Sequence, residues 1–385
     1  MQNNLNRRAF LATFATVAAA QNQPVPDAIR NLKPMTDGVQ PITDAERSAR
    51  VEKARRLMRE NKLAAVVVPS GSSMYYFTGK RQPGQSWILG AQGEAVWTAS
   101  EPATIAHALR DLGVATGNIG LDEQTPFATV AGIGKEAPAI ACASATPVTA
   151  GCRMIKSAAE IALMQRASDV TIAAYKAGLA TLREGMPENE LSANIGAAYR
   201  ALGYPGYASA GFGKFSAFPH GSITPQKLKE GDIVMIDDGC TVEGYQSDIT
   251  RTVVFGKPNA RQREIWDLER RAQDAALRAA KVGAPCESVD AAARKVITDA
   301  GFGPGYKVPG LPHRTGHGIG LDGHEWTYLV KGNKTPLAPG MCFSDEPMIA
   351  IYGEFGVRLE DCFYMTESGP RLFSKQSPAI DQPFG

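Results

Sequence analysis

The sequence predicts an α/β (α+β) chain with a small N-terminal α/β domain and a larger domain of two similar halves. Three observations lead there. At 385 residues the chain is long enough for two cores. Residues 43–150 alternate short apolar runs with helical patterns, as a compact α/β domain does. From 154 to 372 the order becomes helix, strands, helix, strands, which suggests two halves placed face to face. Direct similarity between those halves is too weak to establish a repeat.

The first twenty residues differ from the rest. Asn6-Arg7-Arg8-Ala9-Phe10-Leu11 resembles a twin-arginine export signal, and a small-residue apolar run follows to Ala20. That run is about 11 residues, short of the roughly 20 that a spanning helix needs. Residues 1–20 are therefore expected to be a signal handled by the twin-arginine machinery, giving a periplasmic or secreted protein with no stable membrane span. If that reading is wrong, the protein is cytoplasmic. Residues 21–42, with Pro24, Pro26, Pro34 and Pro41, read as a linker.

In the first domain, 43–61 is a charged helical pattern capped by Thr43 or Asp44. Leu63 to Val68 is a buried strand ended by Pro69-Ser70-Gly71, and Gly90-Ala91-Gln92-Gly93 joins two strands into a hairpin. Glu101–Leu112 is helical, and 119–121 is a further strand. In the second region Ser157 to Arg183 is a long helix, and Pro205 to His220 is loop or irregular strand. Asp232–Ile236 is a strand leading into Asp237. Ala260–Val282 and Ser288–Ala300 are helices ahead of glycine-rich loops and the last strands. Residues 373–385 form a tail.

Net charge is +2, from 41 basic and 39 acidic residues, so no field for nucleic acid is implied. Six cysteines occur without a C-x-x-C pair, which excludes zinc-ribbon and thioredoxin-like readings. Cys240 and Cys362 each closely follow a candidate ligand and are the pair best placed to approach one another. Buried free thiols are the simpler expectation.

Chemistry concentrates in the C-terminal half. Asp237, Asp248, His317, Glu346 and Glu360 each sit in a short segment that reads as a strand end or tight turn. Four carboxylates converging in one pocket would repel, and some would bind protons unless cations held the charges apart. Two divalent ions cancel four negative charges. In IDDGCTVEGYQSDITRT, a strand, a turn and a returning strand bring Asp237 and Asp248 together. Alternation along a strand allows only one of Asp237 and Asp238 inward, and Asp237 is the one assigned. Asp345 and Asp361 should likewise face away from Glu346 and Glu360. GHGIGLDGHE places His317 and His324 seven apart among glycines, and no H-E-x-x-H zinc helix is present. Arg358 shares a face with Glu360 and either steadies that carboxylate or a substrate anion or makes a structural ion pair.

The set DDG, SDITRT, GHGIGLDGHE, SDEP and VRLED resembles the pita-bread metallopeptidases, in the prolidase and aminopeptidase P branch. Methionine aminopeptidase and creatinase are other members. The resemblance covers roughly 154–372, and YYFTG and RMIKSAAEI extend it loosely towards the N-terminal domain of that branch. It implies a pita-bread catalytic domain, two divalent ions (manganese first, cobalt or zinc as alternatives), a proline-containing peptide substrate and a homodimer. Asp237, Asp248, His317, Glu346 and Glu360 become the ligands, with Asp248 and Glu360 bridging. A metal-bridging hydroxide attacks the scissile carbonyl, and Glu346 is general base and proton shuttle. His324 stabilises the oxyanion, His220 holds the substrate, and His313 orients the chain.

Two departures bear on specificity. Pro347-Met348 stands where relatives have Pro-Gly, so Met348 is expected to reshape that wall. No arginine occurs between Glu325 and Gly340, where dipeptide-cleaving relatives carry one for the substrate carboxylate. Lys331 or Lys334 would be a point-charge substitute. The leading expectation is an Xaa-Pro dipeptidase. Alternatives are an aminopeptidase P on longer Xaa-Pro peptides, a metal-independent creatinase-like C–N hydrolase, a non-catalytic binding module, or other chemistry at the same metal pair.

Overall fold

The computed structural model describes residues 25–385. The expected export signal, residues 1–20, lies outside the described residues. No helix among the described residues is long and apolar enough to cross a membrane.

The N-terminal unit is a five-stranded sheet in the order Val96–Ala99, Gln85–Gly90, Ala65–Pro69, Gly117–Leu121, Ile140–Ser144. The first two pairings are antiparallel, so Gln85–Gly90 and Val96–Ala99 form the expected hairpin. The last two are parallel and need crossovers, which the helices Pro102–Asp111 and Phe127–Glu136 accompany. Ala65 to Val68 is buried throughout, as a strand covered on both faces must be. Helix Asp44–Glu60 starts where Thr43 accepts a hydrogen bond from the Glu46 N–H at 3.2 Å.

Residues 27–42 are not a free spacer. Ile29 is 1% exposed, the Met35 N–H donates to Leu202 O at 2.9 Å, and Arg166 Nη1 donates to Met35 O at 2.6 Å. Pro26 precedes the one-turn helix Asp27–Arg30, and Ile29 and Ile42 bury their side chains in the core.

The larger unit repeats one plan. Helices Ala158–Leu179 and Glu188–Leu202 precede an antiparallel sheet of Ser209–Phe212, Ile233–Asp237 and Arg251–Val254. Helices Ala260–Ala279 and Cys286–Asp299 precede a sheet ordered Glu325–Leu329, Gly316–Gly318, Cys342–Asp345, Asp361–Thr366, Gly369–Leu372. Both long helices open with a capping box, Ser157 with Glu160 and Asn259 with Gln262. The two halves and the α/β unit before them are the fold expected from the sequence.

A charged seam joins the units beside the candidate site. Arg153 contacts Glu325 and lies 2.6 Å from Asp322, and Lys156 Nζ lies 3.0 Å from Glu325. Burial alone would raise the Glu325 carboxyl, but Lys156 and Arg153 outweigh it and hold it down to about 2. The RMIKSAAEI segment thus anchors the residue that follows His324.

Candidate metal centre

Asp237 ends the strand Ile233–Asp237, opposite Ser209. The chain turns at Asp238, runs through the small hairpin of Thr241–Val242 and Tyr245–Gln246, and returns at Asp248. The Ile249 N–H donates to Asp238 O at 3.1 Å and closes this excursion. A Cβ at Gly239 would stand 2.1 Å from Ser247 O, so the two limbs touch there and only glycine fits. Gly316 is required for the same reason, because its Cβ would meet Ser344 O at 2.1 Å. That contact sets His317 on Gly316–Gly318 beside Cys342–Asp345.

The last two acids leave the ladder together. Asp345 pairs with Asp361 across the sheet, and beyond them the Glu346 and Glu360 N–H groups bond to Thr315 O (2.8 Å) and Thr250 O (3.2 Å). Asp361 turns away as expected and contacts Arg251 at 2.7 Å; Asp345 also lies outside the cavity and is fully buried.

The five candidate ligands and the candidate substrate-contacting residues line one cavity of about 410 Å³. Asp237, Asp248, His317, Glu346 and Glu360 share it with His220, His313, His324 and Arg358. Candidate ligand atoms of Asp248, His317 and Glu360 lie within 4.8 Å of one another. His317 Nε2 lies 3.1 Å from Glu346 Oε1 and 3.7 Å from Asp248 Oδ2. Arg358 makes an ion pair with the Asp237 carboxylate rather than with Glu360, and its Nε donates to Thr250 Oγ1 at 3.0 Å.

The cluster carries the electrostatic signature of crowded acids. Burial, and then Asp237, raise the Asp248 carboxyl well above its ordinary range. Burial, then Asp248 and Glu346, do the same to Glu360. For Glu346, burial would raise the carboxyl, but the His317 hydrogen bond and charge outweigh it and leave it low. Burial would lower the His317 imidazole, and Glu346 and Asp248 raise it instead. Thr250 Oγ1 stands 2.5 Å from Asp237 Oδ1 and 2.7 Å from Glu360 Oε2, yet one hydroxyl proton satisfies only one of them. Glu360 Oε1 is buried with no partner. A cationic centre fits this donor set: it would satisfy the orphaned oxygen and relieve the repulsion.

Backbone and side-chain contacts assign the histidine tautomers. His317 Nδ1 is 3.1 Å from Gly318 O and must donate to it, which reserves Nε2 for the acids or a cation. His313 Nδ1 donates to Arg314 O at 2.7 Å, so its partnerless Nε2 presents a lone pair. Arg314 Nη2 lies 3.1 Å from His324 Nδ1 and can only donate, so His324 carries its proton on Nε2. Burial, then the His317 ring and Arg314, hold the His324 imidazole down to about 4, so it is neutral at pH 7.

Three expectations need correction. Asp238 lines the cavity beside Asp237, because alternation stops where the strand ends and Asp238 takes a φ of 102°. Its carboxylate accepts from the Ser209 N–H at 3.3 Å, and burial with the Asp237 charge pushes it up to about 6. Met348 does not reshape the cavity wall; it is fully buried and pairs with Arg358 across a two-stranded ribbon. Lys331 and Lys334 do not line the cavity, and Lys334 contacts Glu287 instead. The Cys240 and Cys362 thiols point to Ala167 O and Asp248 O, and all six cysteines are free, as the simpler expectation had it.

Sequence reasoning missed Tyr207, Ser209 and Arg314 on the cavity wall, and Thr250 and Ser344 behind the acids. Thr250 was findable, since it lies two residues beyond Asp248, just ahead of the strand Arg251–Val254.

The pattern of Metallopeptidase family M24 matches residues 162–367, and that of the Creatinase/Prolidase N-terminal domain matches 50–100. The chain belongs to metallopeptidase family M24. Among M24 relatives, an Xaa-Pro dipeptidase of Pyrococcus furiosus is 30% identical over 85% of this chain and 97% of its own length. An Xaa-Pro dipeptidase of Lactobacillus delbrueckii is 37% identical, but the match spans 59% of this chain and 62% of that relative. A dipeptidase structure from Pyrococcus horikoshii superimposes with a TM-score of 0.79 at 29% identity, covering 87% of this chain and 99% of that one. The resemblance read from the motifs and the pita-bread fold are borne out. The M24 fold brings the two halves together around the acids, as the order of elements suggested.

Proposed function

We propose that this M24 protein is a metal-dependent Xaa-Pro dipeptidase. The observation that carries the reading is the gathering of the five candidate ligands, four carboxylates and one imidazole, on a single cavity, with a buried Glu360 oxygen lacking any partner. Full-length similarity to an Xaa-Pro dipeptidase supports the substrate class.

In this reading Asp237, Asp248, His317, Glu346 and Glu360 would hold two divalent ions. Such a pair supplies charge cancellation and a water acidic enough to lose its proton near neutral pH. Manganese suits a set richer in carboxylate than imidazole, with cobalt and zinc as alternatives. Glu346 accepts the proton of the attacking water and passes it to the leaving proline nitrogen. His324, neutral and protonated on Nε2, donates to the carbonyl oxygen as charge develops there. His313 offers its Nε2 lone pair to a substrate donor, and His220 closes the cavity from the Pro219–Gly221 loop.

Manganese-loaded protein should cleave Gly-Pro, and chelation should abolish this until metal is restored. Cleavage that survives complete metal removal would favour the creatinase-like alternative. Export through the twin-arginine route is supported by Asn6 to Leu11 and the apolar run to Ala20. Arg7→Lys with Arg8→Lys should trap the precursor in the cytoplasm, and unchanged export would refute that route. A homodimer rests on the family resemblance, and sedimentation of a monomer would refute it.

A further inference from the structure

Five carboxylates line the cavity, and the candidate ligands account for four of them. Asp238 is the fifth. Two divalent ions would cancel the ligand charges and leave that of Asp238 standing on the wall. Its backbone is held in place: the Asp238 carbonyl accepts from the Tyr175 hydroxyl at 2.8 Å and from the Ile249 N–H at 3.1 Å. Those bonds fix a φ of 102°, which a residue with a side chain adopts only where its surroundings impose it. The carboxylate meets Ser209 and, among the described residues, makes no ion pair. Asp238 also faces a second chamber, of about 350 Å³. This chamber shares Tyr207, Asp238, Asp248 and His324 with the first cavity, so the two meet at that wall. Among the described residues no lysine or arginine lines it, and its charged groups apart from His324 are Asp238 and Asp248. An ammonium group alone would leave most of that volume empty, whereas a chain of methylenes ending in a cation would fill it.

We propose that the second chamber receives the side chain of the residue before proline, and that Asp238 selects a cationic one, lysine or arginine. The inference rests on the Xaa-Pro reading and narrows its substrate class. A scissile carbonyl placed between the acids and His324 lies where the two cavities join, because Asp248 and His324 belong to both walls. The side chain before proline leaves from the carbon next to that carbonyl, so it starts at the junction and can run into the chamber. Tyr207 is 59% exposed at the same junction, and its ring face can carry the methylenes and attract the cation. Asp238 then supplies a charged hydrogen bond that an apolar side chain cannot use. An apolar side chain would leave this carboxylate facing it without a partner.

The test compares kcat/KM for Lys-Pro and norleucyl-proline, alike in shape but for the terminal charge, in manganese-loaded wild type and Asp238→Asn. One charged hydrogen bond predicts a wild-type preference for Lys-Pro of about 10- to 100-fold. Asp238→Asn keeps an acceptor for the Ser209 N–H and should bring that ratio to within about threefold, chiefly through KM. Any disturbance of the adjacent Asp237 is common to both substrates and cancels in the ratio. If the variant turns over too slowly, calorimetric Kd values for the two peptides on metal-loaded Asp238→Asn and wild type read the same preference. A wild-type ratio near one, with both peptides slowed alike in the variant, would place the peptide's amino terminus at Asp238 and overturn the proposal. A wild-type preference that Asp238→Asn leaves unchanged overturns it too. Failure of wild type to cleave these peptides and Gly-Pro sinks the Xaa-Pro reading, and this inference with it; that result is distinct from an active enzyme indifferent to the side-chain charge.

Discussion

Arg358 holds Asp237: its guanidinium contacts one carboxylate oxygen, while Thr250 Oγ1 stands 2.5 Å from the other. The arginine is 4% exposed, so this ion pair is desolvated inside a cluster of four other candidate ligands. Removing one member of a buried pair leaves an uncompensated charge.

Arg358→Met should therefore destabilise chelated protein by about 3 kcal/mol. Saturating manganese should recover part of that loss, because cations replace the missing positive charge. Urea denaturation with and without metal measures both effects. Equal losses in the two conditions would show that Arg358 serves packing alone.

Glu346→Gln keeps the shape of the side chain and one potential ligand oxygen but removes the proton acceptor. Turnover should fall by about 100- to 10,000-fold with circular dichroism unchanged. Wild-type rates in this variant would remove Glu346 from the role of base.

Asp238 gives a pH signature. Its folded carboxyl is raised to about 6, so between the ordinary carboxylate value and that point the native chain binds more protons than the unfolded one. Stability of chelated protein contributed by this group is therefore lost as pH rises from about 4 to 6. Asp238→Asn removes the titration and keeps an acceptor for the Ser209 N–H. The variant should gain relative to wild type, by on the order of 2 kcal/mol, as pH rises through that window. Parallel pH profiles for the two proteins would contradict the shift.

Glu325 behaves oppositely. Lys156 and Arg153 hold it at about 2, so its stabilisation is present above the ordinary carboxylate value and fades as pH falls towards 2. Glu325→Gln should cost about 3 kcal/mol at pH 7 and should also slow turnover, because His324 is its neighbour. A variant as stable as wild type at pH 7 would show that the seam between the units is not held there.

Much of this was legible in the sequence because the chemistry sits in short runs. Gly239 and Gly316 mark close backbone approaches, and the acids of DDG and the histidine of GHG beside them announce a pocket. Alternation oriented Asp361 correctly but failed at Asp238, where a positive φ breaks the strand. Residues 27–42 looked like a spacer because prolines suppress periodicity, although Ile29 and Ile42 reach the core. Arg314 was hidden for another reason: stacking on Tyr328, fourteen residues downstream, depends on a strand pairing that spacing alone does not reveal.

Manganese titration of chelated protein by calorimetry, repeated with Glu360→Gln, addresses the central claim directly. The account predicts two ions per wild-type chain, with at least one site weakened by about tenfold or more when Glu360 is changed. Wild-type protein that binds no manganese, or that binds it identically with and without the Glu360 carboxylate, would contradict a dinuclear centre.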